Sequence, residues 1–206
     1  MTIAEVASQP TDAERFGHIL QVQRAAYLRD GAPSMAARRS DLSRLKAALI
    51  ARRSAIEEAI NTDFGHRSRH ETAMMELGGV VQGIDYLERN LRRFMRPTRR
   101  HTALMLRFGT NRVEYQPLGV VGVISPWNYP VNLSLMPVVT AIAAGNRVML
   151  KPSKFTPATN TVLASMLSEV PFPVASTGVV YERACRPVRG PVGRAAAYLA
   201  GLVQGL

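Results

Sequence analysis

Cysteine is almost missing: Cys185 is the single one among 206 residues. It cannot close an internal disulfide, which excludes a disulfide-stapled scaffold and a cysteine-based zinc site and predicts a reducing, cytoplasmic setting. Long apolar runs are missing too. No stretch approaches the roughly 18 residues that a membrane helix needs, and MTIAEVASQP has neither the basic start nor the apolar core of a secretory leader. No membrane partner is therefore expected. Acids are short, 15 against 26 lysines and arginines, which leaves a formal charge of +11 and raises the question of nucleic acid. Aromatics, at 6%, argue against it. The densest basic run, Arg89, Arg92, Arg93, Arg96, Arg99 and Arg100, has only Phe94 interleaved, whereas single-strand binding surfaces alternate rings with cations. A basic, mostly helical protein for nucleic acid or another acidic partner is the competing reading, not the preferred one.

What is present is a chain with 47% hydrophobic residues, enough for one sizeable core or two small lobes. Its most informative stretch is QPLGVVGVISPWNYPVNLSLMPVVTAIAAGNRVMLKPSKFTP, residues 116–157. Leu118 to Ile124 is a short β-branched run that predicts a buried strand of a parallel sheet, stopped by Ser125 and Pro126. Helical spacing follows from Val131 to Ala144, Gly145 and Asn146 end it, and Arg147 to Leu150 resumes a strand that Lys151 and Pro152 close. In such strand-helix-strand units ligands sit outside the carboxyl ends of the strands, so residues 125–129 and 151–154 share one ligand-facing edge. Asn128 lies there in a Pro-Trp-Asn-Tyr-Pro turn, whose prolines fix the backbone and whose aromatics exclude water, a setting that makes a carboxamide a strong hydrogen-bond donor.

The flanking segments read mostly as helices. Residues 1–10 form a leader, Asp12 to Arg29 an amphipathic helix capped by Thr11 or Asp12, and Met35 to Asn61 one long helix with Leu42, Leu45, Leu49, Ile56 and Ile60 on its apolar face. Ser68 and Glu71, in capping-box spacing, start a third helix that runs to Met95. His66 and His70 are four apart, but the cap places His66 before the helix and no third ligand converges, so no metal is expected. Gly78, Gly79 and Gly83 predict a close-packing helix surface. Ala103 to Phe108 and Arg112 to Gln116 read as two strands joined through Gly109, Thr110 and Asn111, and Ala158 to Glu169 as a last helix. From Pro171 the text turns rich in Ala, Gly, Pro and Arg, with Glu182 its only acid and no lysine.

The strings PLGVVGVISPWNYP and AIAAGNRVMLKPS, followed by Thr156 and Pro157, resemble the N-terminal part of the aldehyde dehydrogenase superfamily, its class 3 branch most, and over residues 11–170 the coniferyl aldehyde dehydrogenases within it. The resemblance implies an α/β fold: N-terminal helices (1–101), an oligomerisation-type β-hairpin (102–117), an incomplete Rossmann-like dinucleotide-binding sheet (118–170) and an aberrant, frame-shifted tail (171–206) without the family's next strand, G-S motif, glutamate or nucleophile. Cys185 lacks the glycine and glutamine that flank that nucleophile. By the same resemblance Asn128 donates to the oxyanion formed when a cysteine attacks an aldehyde, Ile124 and Trp127 lie beside NAD or NADP and Lys151 on the adenosine ribose, with Ser125, Ser153 and Lys154 as further cofactor-binding candidates. Lys154 stands where such proteins commonly carry a ribose-binding glutamate, and two readings stay open for it: a side chain turned to solvent, or a cation paired with the 2′-phosphate of NADP. Glu76, Leu77, Gly78 and Gly79 imitate the family's catalytic glutamate motif, yet Val80 replaces its lysine and the motif belongs far downstream. The intact parent is expected to oxidise a small-molecule aldehyde as a homodimer, and this chain alone to be inactive.

Overall fold

Three- and four-residue apolar spacing produces the helical layer that opens the chain: α1 (Asp12–Asp30), α2 (Met35–Ala51) and α3 (Arg53–Phe64). The computed structural model describes residues 12–169 and 177–179, so the expectations for the leader, the Thr11 cap and Cys185 lie outside the described residues. Ser34 caps α2, its hydroxyl accepting from the Ala37 N–H at 3.2 Å. The single helix expected from Met35 to Asn61 is broken at Arg52, whose φ of −99° and ψ of 12° leave the α region. Its guanidinium turns to Ser165 (3.1 Å) and Glu169. Periodicity misses the break because Leu49 and Ile56 stay in phase across it, both fully buried.

The third helix is also composite. Ser68 caps it as expected, accepting from the His70 N–H at 3.3 Å, with His66 before the start. Then α4 (Arg69–Glu71) passes into a π-helical segment (Thr72–Gly78) and α5 (Gly79–Phe94). Thr72, Glu76, Val80 and Ile84 form its fully buried stripe. Close packing at the glycines is borne out where α5 crosses α6 (Asn132–Ala143): a Cβ on Gly79 would stand 2.8 Å from Asn132 Nδ2, and one on Gly83 2.6 Å from Met136 Sδ.

The predicted strand-helix-strand unit is present as β3 (Val120–Ile124), α6 and β4 (Arg147–Lys151), the strands parallel with Val120 opposite Arg147 and Ile124 opposite Lys151. Gly145, at φ +88°, ends the helix region, and a Cβ there would meet the Arg38 guanidinium at 2.5 Å. After α7 (Pro157–Glu169) comes β5 (Thr177–Val179), pairing parallel with β4 at Val148–Leu150. This corrects the reading that no strand follows residue 170. Three β-branched or small residues suffice for one when β4 already offers an edge, and composition does not register so short a run. Among the described residues the sheet order is β3-β4-β5, which leaves β3 at its edge, and Gly122 and Ile124 are exposed rather than buried. α1 lies along this sheet, Gln23 Nε2 donating to Val148 O at 3.3 Å and Tyr27 to Pro117 O at 3.4 Å.

The hairpin is displaced from its expected position. β1 (Thr98–Arg100) pairs antiparallel with β2 (Asn111–Val113), and the intervening stretch is a loop with a 3₁₀ turn at Leu104–Leu106. The alternation of Leu104, Leu106 and Phe108 mimics a strand, but among the described residues these side chains meet no apolar surface that would fix a register. A single core cluster, by contrast, joins Leu42, Leu45, Ile60, Val80 and Ile84 of the helical layer to Leu135 and Val138 of α6 and Val148 and Leu150 of β4.

Candidate active and cofactor site

The parallel register sets the site. Because Ile124 stands opposite Lys151, the turn after β3 and the loop after β4 emerge side by side at the carboxyl ends of both strands. Ser125 continues the pairing through its N–H to Lys151 O at 3.0 Å. Its hydroxyl is buried and lies 2.5 Å from that of Ser134, which in turn donates to Pro130 O at 2.5 Å. Among the sequence candidates, Ser125 is therefore the one that turns inward and fixes the turn.

Four others, Ile124, Trp127, Asn128 and Lys154, are exposed. Ile124 is 59% and Trp127 54% exposed, an apolar pair at the lip of the sheet, and Trp127 stacks near Phe64 of α3 with ring centroids 6.5 Å apart. Asn128 is exposed, and among the described residues its carboxamide makes no hydrogen bond, while its backbone carbonyl accepts from Arg67 Nη2 at 3.0 Å. A carboxamide held through its backbone and free at its tip can donate to a ligand oxygen. Across the gap, Lys151 and Ser153 are half-buried and Lys154 is exposed, its Nζ 5.2 Å from the Phe155 ring centre. Asn160 holds this loop, donating to Ser153 O at 2.6 Å.

Sequence reasoning missed two acids that set these loops in place. Asp63 caps α7 from α3: its carboxylate accepts from Ala158 N (3.0 Å), Thr159 N (2.8 Å) and Thr159 Oγ1 (2.7 Å). Glu76, set aside as a false motif, is fully buried; its Oε2 accepts from Val131 N at 3.0 Å and Asn132 N at 2.8 Å, and its Oε1 from Arg67 Nη1 at 3.1 Å. Burial pushes the Glu76 carboxyl above its ordinary value, against the opposing pull of those N–H groups and Arg67. The available signal was position: Glu76 occupies the apolar stripe between Thr72 and Val80, where an acid needs dedicated partners.

An apolar lip, a carboxamide and a loop bearing Lys151, Ser153 and Lys154 without a carboxylate form a donor set suited to a nucleotide with a hydroxylated or phosphorylated ribose. Comparison with known proteins identifies the family. The sequence pattern of the aldehyde dehydrogenase family matches residues 2–186, past the residue 170 at which the resemblance was drawn to stop. The chain is 40% identical over 168 residues to coniferyl aldehyde dehydrogenase of Pseudomonas sp. (strain HR199 / DSM 7063), covering 82% of this chain and 34% of that protein. It is 35% identical over 154 residues to aldehyde dehydrogenase family 3 member B1 of Mus musculus, covering 75% and 33%. A Staphylococcus aureus AldH structure in a substrate-bound state superposes with a TM-score of 0.75 at 26% identity, covering 80% of this chain and 36% of that one. The chain thus spans about a third of the length of the curated relatives it matches, in their N-terminal part. It belongs to the aldehyde dehydrogenase family, whose members act on aldehydes, generally use NAD(P) and are typically oligomeric.

Proposed function

We propose that these residues serve an oxidoreductase that converts an aldehyde to a carboxylic acid with NAD or NADP, with Asn128 as the oxyanion donor. The observation that carries this is the Asn128 turn: the backbone is clamped from the helical layer while the carboxamide stays exposed and without a partner among the described residues. When a nucleophile adds to an aldehyde, charge develops on the carbonyl oxygen, and a donor fixed in advance stabilises it without reorganising. Ile124 and Trp127 would line the cofactor beside it, Ser125 would hold the turn, and Lys151, Ser153 and Lys154 would take the ribose end. The nicotinamide, when bound, supplies the acceptor for hydride. The similarity to coniferyl aldehyde dehydrogenase supports an aromatic aldehyde as substrate.

Two further features extend the reading. Leu104, Met105, Leu106 and Phe108 are all at least 65% exposed on the loop of the hairpin, an apolar surface suited to pairing with a second subunit in a homodimer. No helix among the described residues is long and apolar enough to cross a membrane, and the lone Cys185 suits a reducing, cytoplasmic compartment.

The test is Asn128→Ala in a full-length dehydrogenase carrying this N-terminal part. The variant should lose about 100- to 1000-fold in kcat, the range for removal of one oxyanion donor, with cofactor affinity unchanged. The 206-residue chain alone, given aldehydes and either cofactor, should produce no reduced nicotinamide, and the same chain with Cys185→Ser should behave identically. A kcat within about twofold of wild type would overturn the role of Asn128.

A further inference from the structure

We propose that Arg67 and Glu76 are positioning residues: from the helical layer they hold the turn that carries Asn128 and so aim its carboxamide. The catalytic consequence rests on reading Asn128 as the oxyanion donor; the positioning itself rests only on contacts.

The three central residues of the turn and the two that follow Pro130 are held from α3 or from the segment that follows it. Trp127 stacks on Phe64, the Asn128 carbonyl accepts from Arg67 Nη2 (3.0 Å), and the Arg67 guanidinium lies 5.1 Å from the Tyr129 ring centre and 4.1 Å from that of Phe64. Val131 and Asn132 give their N–H groups to Glu76, which is tied back to Arg67 at 3.1 Å. Arg67 is thus the centre of the clamp, bound at once to the turn and to the acid that caps the next helix. Asn132 adds a further tie, its Nδ2 donating to Met75 O at 2.6 Å.

A stability role alone does not account for this arrangement. A fully buried acid pays desolvation that its partners only offset, and an apolar residue of similar size on the same stripe would commonly be as stabilising or more. An apolar side chain there could not bond the Val131 and Asn132 N–H groups or orient Arg67. The acid also sits in the π-helical segment Thr72–Gly78, an irregularity that recurs at functional sites and changes which residues face the neighbouring helix. What the Glu76 carboxylate supplies that an apolar side chain cannot is the position of the turn and of Arg67.

The turn contains its own probe, since Trp127 is the only tryptophan of the chain. Two variants of the 206-residue chain separate the links. Arg67→Met keeps an apolar stem over Phe64 but removes the hydrogen bonds to Asn128 and Glu76. Glu76→Gln keeps one oxygen for Val131 and Asn132 and presents an amide N–H group to Arg67, breaking that link alone. Both should red-shift Trp127 emission, raise its collisional quenching by acrylamide and shift or broaden the Asn128 side-chain amide resonances in ¹⁵N NMR. Far-UV circular dichroism should stay that of wild type. Arg69→Met, which breaks an exposed pair with Glu58 (2.9 Å), should change none of these. Unaltered Trp127 and Asn128 signals in both folded variants would overturn the proposal, and so would global unfolding of both under conditions where Arg69→Met stays folded. If the turn responds as expected while Asn128→Ala leaves kcat of the full-length enzyme intact, the positioning stands and the oxyanion reading falls.

Discussion

Between Leu42 and Ile60, and again between Leu104 and Phe108, apolar residues recur at regular intervals, and the two stretches end in opposite states. Leu42, Leu45, Leu49, Ile56 and Ile60 all reach zero exposure, whereas Leu104, Met105 and Phe108 are 74%, 89% and 101% exposed. The difference is the presence of a receiving surface. α5, α6 and α7 pack on α2 and α3, while the hairpin loop has no such neighbour in the chain described. A pattern becomes a buried element only where something complementary arrives to cover it, as happens for the helical layer and, among the described residues, does not happen for the hairpin loop.

The comparison can be broken by truncating one leucine in each region. Leu45→Ala, in the core cluster, should cost about 2 to 5 kcal/mol in urea denaturation. Leu106→Ala should change stability by no more than about 0.5 kcal/mol, as for a surface substitution. Equal losses would mean that the hairpin loop is covered within this chain and that the contrast is false.

The same inside-outside contrast operates at the ligand edge, on a smaller scale. Ser125 is buried and bonded to Ser134, so it acts on the turn; Lys154 is exposed, so it can act on a ligand. An ammonium has donors and no acceptor, which suits a phosphate on the ribose rather than the ribose hydroxyls. In a full-length enzyme carrying Lys154, NADP should be favoured over NAD, and Lys154→Glu should shift the ratio of the two kcat/KM values toward NAD several-fold to about tenfold, the worth of roughly 1 kcal/mol. An unchanged ratio would show that Lys154 does not face the ribose.

Much of the fold was legible because local rules and tertiary packing agree in it. The unit β3-α6-β4 came from β-branched runs, turn residues and Gly145, each of which reports its own backbone. The Ser68 cap was legible for the same reason. What was not legible depends on remote partners. The break at Arg52 keeps its apolar stripe in phase and shows only through Glu169 and Ser165, more than a hundred residues away. β5 needed the free edge of β4 to exist. At the candidate site, Asn128, Trp127 and Lys154 stood out in the local string, but Arg67, Asp63 and Glu76 act across 61, 95 and 55 residues of sequence and left only one trace, an acid on an apolar stripe.

The central claim is that the helical layer acts on the chemistry through Asn128, and a double-mutant cycle in a full-length dehydrogenase carrying these residues tests it most directly. A displaced catalytic group can cost on the order of 100-fold, so Arg67→Met should lower kcat by about 10- to 100-fold when Asn128 is present. In the Asn128→Ala background the same substitution should have almost no further effect, because the group it positions is already gone. Equal losses in both backgrounds would contradict the account.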